Sequence, residues 1–233
     1  LTGAASAMNT AYTAGGNSEI SGLGNEAITL DDTTLAVATL NTLNGNTTGV
    51  VNAATVATLT GAASAMNTAY TAGGNSEISG LGNEAITLDD TTLAVATLNT
   101  LNGNTTGVVN AATVTTLTGA ASAMNTAYTA GGNSEISGLG NEAITLDDTT
   151  LAATVLNTLD GNTTGAVNAA TVTTLTGAAA AVITAYDSSG ISGLGNEKLT
   201  LSGSTSVANA NTLAADTTGV ITATITETDA STL

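Results

Sequence analysis

Apolar and polar positions between Ile20 and Gly49 follow two periods, one after the other. Ala27–Leu30 alternates and contains β-branched residues, which predicts a short strand. From Leu35 to Leu43 the apolar residues recur every three or four positions, which predicts a helix with one buried face. Asp31–Thr34 lies between them and has the composition of a helix N-cap, and Gly45 is placed to end the helix in the left-handed conformation.

The following segment repeats this order of elements without the aspartates. Val56–Leu59 predicts a second strand, Thr60 an N-cap, and Ala62–Ala72 a helix that Gly73-Gly74 stops. Helices this short are unstable alone, so both require packing against neighbours.

A long tandem repeat organises the whole chain. The sequence Leu-Thr-Gly-Ala-Ala begins at Leu1, Leu59, Leu117 and Leu175, and 59 − 1 = 58 gives the spacing. The copies are residues 1–58, 59–116, 117–174 and a divergent fourth, 175–233. Because adjacent copies of a repeat stack on one another, we expect one continuous solenoid. The chain begins in mid-repeat, which suggests a fragment of a longer array.

Two strand–helix coils per repeat, each of about 29 residues, predict an α/β solenoid whose order of elements resembles a leucine-rich repeat. The alternative is an all-β solenoid with three shorter coils per repeat, which the Thr and Val content permits. In either fold, equivalent residues should form ladders. Those expected are Tyr12, Tyr70, Tyr128 and Tyr186, and Asn41, Asn99 and Asn157.

The fourth copy departs from the other three. Its segment Tyr186–Ile191 is three residues shorter than the equivalent Tyr128–Ile136, and Leu201–Ser204 replaces the Leu-Asp-Asp-Thr turn. Val220–Thr226 alternates and predicts a strand, and Thr228–Ala230 predicts a further N-cap.

The amino-acid composition argues against several classes of function. The chain carries 18 acidic residues against one Lys, with a net charge of −17, which argues against nucleic acid as a partner. The absence of Cys, His and Arg excludes disulfides and leaves little for catalysis, so we expect no enzyme. No apolar segment reaches membrane-spanning length, so no membrane insertion is expected.

Paired aspartates recur once in each of the first three copies. They are Asp31, Asp32, Asp89, Asp90, Asp147 and Asp148. Carboxylates are the ligands that Ca²⁺ prefers, so these pairs are a candidate metal site, with Ca²⁺ the one cofactor considered. The preferred interpretation is that one Asp caps the helix that follows and the other is solvated.

Two further patterns suggest binding surfaces. The strand residues Thr29, Thr58 and Thr60, with their copies, would form a threonine face suited to ice or to glycans. The glycine-rich pieces Gly15-Gly16 and Ser21–Asn25 suggest a phosphate cradle, but both lack the lysine of a P-loop.

Three segments of the sequence are distinctive: Gly-Ile-Ser-Gly-Leu-Gly-Asn-Glu, Leu-Asn-Thr-Leu-Asp-Gly-Asn-Thr-Thr-Gly and Val-Asn-Ala-Ala-Thr-Val-Thr-Thr-Leu-Thr-Gly. They resemble tandem repeats of very large secreted or cell-surface proteins of bacteria, particularly cyanobacteria, which are often associated with RTX or adhesin sequences. The resemblance implies an extracellular structural or adhesive role as a rod, stalk or filament. A calcium-stiffened array is one alternative, and a threonine face that binds ice or glycans is the other. The expected partners are further copies of the chain, end to end or side by side, and surface glycans.

Overall fold

The fold alternates helices with short parallel strands in a computed structural model that describes residues 1–226. The N-cap predicted at Thr228–Ala230 lies outside the described residues. Residues 1–226 contain eight helices: α1 (Ala5–Gly16), α2 (Val37–Asn46), α3 (Ala63–Gly74), α4 (Val95–Asn104), α5 (Ala121–Gly132), α6 (Ala153–Asn162), α7 (Ala179–Asp187) and α8 (Val207–Asp216).

Most strands are only two to four residues long. They are β1 (Thr2–Gly3), β2 (Ile28–Leu30), β3 (Thr34–Ala36), β4 (Val51–Asn52), β5 (Thr58–Gly61), β6 (Ile78–Ser79), β7 (Ala85–Leu88), β8 (Thr92–Ala94), β9 (Val109–Asn110), β10 (Thr116–Gly119), β11 (Ile136–Ser137), β12 (Ala143–Leu146), β13 (Thr150–Ala152), β14 (Val167–Asn168), β15 (Thr174–Gly177), β16 (Ile191–Ser192), β17 (Lys198–Thr205) and β18 (Ile221–Ile225).

The chain forms two compact units. Unit 1 comprises Leu1–Val114 and Thr129–Gly138, and unit 2 comprises Thr115–Tyr128 and the chain from Leu139 onward. In unit 1, strands lie in the orders β1-β2-β4-β6 and β3-β5-β7-β9-β11. In unit 2 the orders are β10-β12-β14-β16 and β13-β15-β17-β18. The single continuous solenoid over all four copies stays a prediction.

Each pair of neighbouring strands is separated in sequence by roughly one coil. In unit 1, Thr34 pairs with Thr58, and Thr58 in turn pairs with Ala85. Parallel neighbours need a crossover connection, and the helices provide it. Helices α1 and α3 begin at Ala5 and Ala63, so two successive coils together span one full repeat (63 − 5 = 58). The predicted α/β fold of stacked coils is confirmed, and the helices exclude the all-β alternative.

The core consists of aliphatic side chains from both kinds of element. In β2, Ile28 and Leu30 are buried and Thr29 is exposed, as the alternation predicts. Leu40 and Leu43 of α2 are fully buried. Packing of these leucines against the strands holds helices whose own propensity is weak.

The predicted helix limits are wrong at both ends. Helix α2 begins at Val37 and not at Leu35, because Thr34–Ala36 pairs with β5 as strand β3. It also continues through Gly45, which has no positive φ, and α3 includes Gly73-Gly74. Glycine at these positions therefore continues the helix instead of ending it in the left-handed conformation.

Candidate functional site

A glutamate in each copy is bonded to a tyrosine of the helix that precedes it. The Glu84 carboxylate accepts hydrogen bonds from the Tyr70 hydroxyl at 2.9 Å and from the Gly82 amide at 2.9 and 3.1 Å. Equivalent pairs, with hydroxyl–carboxylate distances in brackets, are Tyr12–Glu26 (2.9 Å), Tyr128–Glu142 (3.0 Å) and Tyr186–Glu197 (2.7 Å). Glu84, Glu142 and Glu197 are fully buried, whereas Glu26 is half-buried.

Burial changes the titration of these groups. It raises the pKa of the Tyr70, Tyr128 and Tyr186 hydroxyls well above the ordinary value, and the neighbouring glutamates raise it further. At the half-buried pair, a hydrogen bond from the Gly24 amide lowers the pKa of Glu26. The tyrosines therefore stay protonated and donate to carboxylates that are already satisfied. This arrangement suits structural support more than acid–base chemistry.

A threonine that follows the next helix is hydrogen-bonded to the backbone of the same glutamate. The Thr105 hydroxyl donates to the Glu84 carbonyl oxygen at 2.7 Å and accepts from the Gly107 amide at 3.0 Å. Gly107 lies against the Glu84 backbone so closely that a Cβ there would overlap it. Thr47, Thr163 and Thr217 make the equivalent bonds in the other copies.

The second aspartate of each pair caps a helix, but not the helix predicted. Asp32 accepts from the Ala5 amide at the start of α1 at 2.8 Å. The equivalent bonds are Asp90 to the Ala63 amide and Asp148 to the Ala121 amide, both 2.7 Å. Strand β3 lies between Asp32 and the helix that follows it, so Asp32 does not reach the start of that helix. The helix that it caps starts 27 residues earlier in the chain.

The first aspartates, Asp31, Asp89 and Asp147, are exposed. Within residues 1–226, no group of three or more His, Cys, Asp or Glu side chains is positioned to hold a metal ion. The calcium site stays a prediction. Thr60, the other predicted N-cap, lies in β5, and the residue before α3 is Ala62, whose side chain makes no capping bond.

Asparagines connect neighbouring helices. The Asn41 side-chain amide donates to the Ala65 carbonyl oxygen, and that of Asn157 to the Ala181 carbonyl oxygen, both at 2.9 Å. Asn9 donates in the same way to the Thr39 carbonyl oxygen at 3.1 Å. Equivalent asparagines in different copies thus make equivalent contacts.

The predicted threonine positions lie on the outer side of the sheets in unit 1. Thr29 is exposed, and Thr58 and Thr60 are partly exposed. Thr60 pairs in register with Thr87, and Thr29 with Thr2. Each such pair is two strands wide, because Asn52 follows Thr29, Asn110 follows Thr87 and Ala36 precedes Thr60 in register. The two pairs lie in different sheets, with about 4.8 Å between the strands of a pair.

Two grooves of the same composition open on unit 1. The Tyr12 groove, about 440 Å³, is lined by Tyr12, Gly15, Gly16, Ser18, Ile20, Ser21, Gly22, Leu23, Gly24 and Asn46. The Tyr70 groove, about 500 Å³, is lined by the equivalent residues Tyr70, Gly73, Gly74, Ser76, Ile78, Ser79, Gly80, Leu81, Gly82 and Asn104, and also by Val50. The two glycine-rich pieces of the sequence therefore come together.

These grooves do not suit a phosphate group. The amides of Gly24 and Gly82 already donate to glutamate carboxylates. The helices α1 and α3 end at the grooves, and the C-terminal end of a helix dipole repels anions.

Sequence reasoning missed the importance of the Tyr–Glu–Thr contact. A sign of it was present in the divergent fourth copy. That copy replaces the aspartate pair by Ser202-Gly203 but keeps Tyr186, Glu197 and Thr217. The Tyr–Glu–Thr contact therefore persists in a copy whose loop and aspartate turn have both changed.

None of the helices in residues 1–226 combines the length and the apolar character needed to cross a lipid bilayer. Comparisons with protein-family models, curated proteins and solved structures found no match to the chain.

Proposed function

We propose that the chain is a structural and adhesive repeat segment of an extracellular or cell-surface protein. The supporting observation is that the recurring polar side chains join one coil to another. Tyr70 and Thr105 hold Glu84 between two helices, and Asp90 caps a helix that starts 27 residues earlier. The same bonds recur at equivalent positions, as expected when each repeat is stabilised by its contacts with the neighbouring repeat.

The acidic surface is compatible with life outside the cell. A net charge of −17 keeps identical segments apart at low ionic strength, and salt screens that repulsion. Short parallel strands at the sheet edges offer unpaired backbone groups for self-association. In this proposal the chain associates with further copies of itself as the salt concentration rises.

Two measurements test these statements separately. Antibodies against the chain should label intact cells of the organism that encodes it, and labelling only after lysis would refute the extracellular placement. Sedimentation velocity at increasing protein and salt concentrations should show growing assemblies. A single species of constant mass under all conditions would refute self-association.

The threonine face gives a second candidate function. The in-register pairs Thr60–Thr87 and Thr2–Thr29 place hydroxyls side by side on two sheets, where they would order water or contact glycans. Inhibition of ice recrystallisation by the wild type, and its loss in a Thr29→Val/Thr87→Val variant, would support ice binding. Equal activity of the two proteins would exclude this face.

The calcium alternative is tested by melting the protein in calcium and in EDTA. Because Asp32, Asp90 and Asp148 already accept from helix amides, we expect the same melting temperature in both. A rise in calcium that Asp31→Asn, Asp89→Asn and Asp147→Asn together abolish would show that the exposed aspartates bind the ion.

A further inference from the structure

The Tyr12 groove and the Tyr70 groove repeat one chemistry at equivalent positions of adjacent copies. Their volumes, about 440 and 500 Å³, fall within the range of pockets that hold small ligands. Each combines an aromatic ring, aliphatic side chains, serine hydroxyls and an asparagine amide. This mixture accommodates a ligand with both apolar faces and hydroxyl groups.

Among the described residues, no charged side chain lines either groove. At the Tyr70 groove, Glu84 is fully buried behind Tyr70 and Gly82 and is bonded to both. The exposed Glu77 follows the lining residue Ser76 in the chain, but its carboxylate accepts from the Asn44 side-chain amide and lines a different groove. The lining itself therefore offers no carboxylate to a cationic ligand and no cation to an anionic ligand. The grooves therefore favour a neutral ligand.

The groove also offers hydrogen-bonding groups that the fold leaves available. In the described part of the chain, the Ser76 and Ser79 hydroxyls make no hydrogen bond, and both residues are exposed. The Tyr70 hydroxyl is already bonded to Glu84 and to Thr105, so the serine hydroxyls are the groups left for a ligand. The Thr71, Ala72 and Gly73 carbonyls at the end of α3 already accept backbone amides, so side chains supply the polar contacts of the groove.

The fourth copy departs from this groove chemistry. Four residues separate Tyr186 from Ile191, where seven separate Tyr70 from Ile78. The shortened loop places Ser188 on the Asp160 carboxylate at 2.6 Å, and Gly190 lies against the same side chain. The Tyr–Glu contact thus forms without the Gly-Gly-Asn-Ser loop, whose equivalents line the Tyr12 groove and the Tyr70 groove.

We infer that the Tyr12 groove and the Tyr70 groove each bind a segment of a neutral polysaccharide. The apolar face of a hexose packs against the leucine and the part of the tyrosine that stays exposed, and its hydroxyls bond to the serines and the asparagine. Repetition of the groove suits a polymer, because a second segment of one chain binds at a raised effective concentration. The inference rests on the adhesive part of the proposed function and gives it a ligand class.

Helical glycines allow the grooves to be blocked without disturbing the fold. Gly16 and Gly74 line the grooves, and a Cβ at either meets no atom within 4 Å. Leucine at these positions fills the groove and favours the helix. Gly132 is the equivalent residue of the third copy and has the same open surroundings. The blocked variant is therefore Gly16→Leu/Gly74→Leu/Gly132→Leu.

The matched control is Gly45→Leu/Gly103→Leu/Gly161→Leu, three helical glycines with equally open surroundings that do not line the Tyr12 groove or the Tyr70 groove.

Affinity electrophoresis measures binding to dextran, mannan and a soluble β-glucan, with polygalacturonate and chitosan as charged polymers. We expect wild type and control to be retarded by at least one neutral polymer, and the blocked variant to bind it at least tenfold more weakly. Circular dichroism checks that both variants fold.

Three results would overturn the inference. They are retardation by none of the neutral polymers, retardation by the charged polymers alone, and unchanged binding by the blocked variant. Each would leave the structural role intact, because antibody labelling and sedimentation test that role independently.

Discussion

Removal of a single oxygen at Tyr70 tests how much the buried glutamate depends on its tyrosine. In Tyr70→Phe the ring remains, and Glu84 keeps only the Gly82 amide as donor in the described contacts. The carboxylate has no exposed surface, so water cannot replace the lost hydroxyl. A hydrogen bond to a buried charge contributes about 1.5–3 kcal/mol, and we expect Tyr70→Phe to lower the free energy of unfolding by that amount.

Tyr12→Phe provides the matched control. Its hydroxyl donates to Glu26 at the same 2.9 Å, but Glu26 is half-buried and water can take the place of the hydroxyl. We therefore expect Tyr12→Phe to lower the free energy of unfolding clearly less than Tyr70→Phe does. Both variants keep the aromatic ring, so no cavity contributes to the difference.

Equilibrium unfolding in guanidinium chloride, followed by far-ultraviolet circular dichroism, compares the two variants. The denaturant dependence should be unchanged, so that a shift in midpoint reports stability directly. Equal losses in the two variants, or a loss below about 0.5 kcal/mol in Tyr70→Phe, would refute the reasoning from burial. A double-mutant cycle with Glu84→Gln should show coupling between the two side chains.

Three other predictions concern the contacts between coils. Asp90→Ala removes the acceptor for the first amide of α3 and should cost about 1–2 kcal/mol in urea unfolding, whereas the exposed Asp89→Ala should change stability by about 0.5 kcal/mol or less; equal effects would contradict the cap. Gly107→Ala forces a Cβ into the backbone of the neighbouring coil and should lower the free energy of unfolding by more than about 3 kcal/mol. Gly103→Ala, in an open helical position, should raise it by about 0.5–1 kcal/mol. The opposite order of stabilities would contradict the close packing at Gly107. The buried tyrosines have a raised pKa in the folded protein, so the unfolded chain loses its phenolic protons first as the pH rises. The free energy of unfolding should therefore change little from pH 7 to 9 and fall above about pH 10. A variant with Phe at all three buried tyrosines should lose less stability over the same pH range.

The sequence predicts what depends on local periodicity. Alternation in Ala27–Leu30 places the strand, and the spacing of Leu40 and Leu43 places the buried face of α2. Together with the tandem repeat, these patterns predict an α/β fold of stacked coils. They do so because each element must bury its own apolar side, and its period shows which side that is.

The limits of the elements depend on partners one coil away. Thr34–Ala36 forms a strand only because Thr58–Thr60 lies beside it. Asp32 has the local composition of a cap for α2, yet its partner amide belongs to α1. A one-dimensional pattern does not contain these pairings, because several different separations between partner residues are compatible with the same repeat.

The candidate site shows the same division. The glycine-rich pieces that line the Tyr12 groove are visible in the sequence, but their joining across the end of α1 is not. The Tyr–Glu pair is 14 residues apart in the first three copies and 11 in the fourth. Its persistence through that deletion is the one trace it leaves in the sequence.

The aspartate that caps a helix of the preceding coil affects the order in which the chain can fold. As the protein is synthesised, α1 leaves the ribosome well before Asp32, so the helix waits for its cap. At a synthesis rate of about 5–20 residues per second, the interval between Ala5 and Asp32 lasts about 1–5 s. Helices α1, α3 and α5 are each completed in this way by the coil made after them. Folding of such a chain advances from the N-terminus at the pace of translation, and near-identical later copies have fewer free edges with which to pair wrongly.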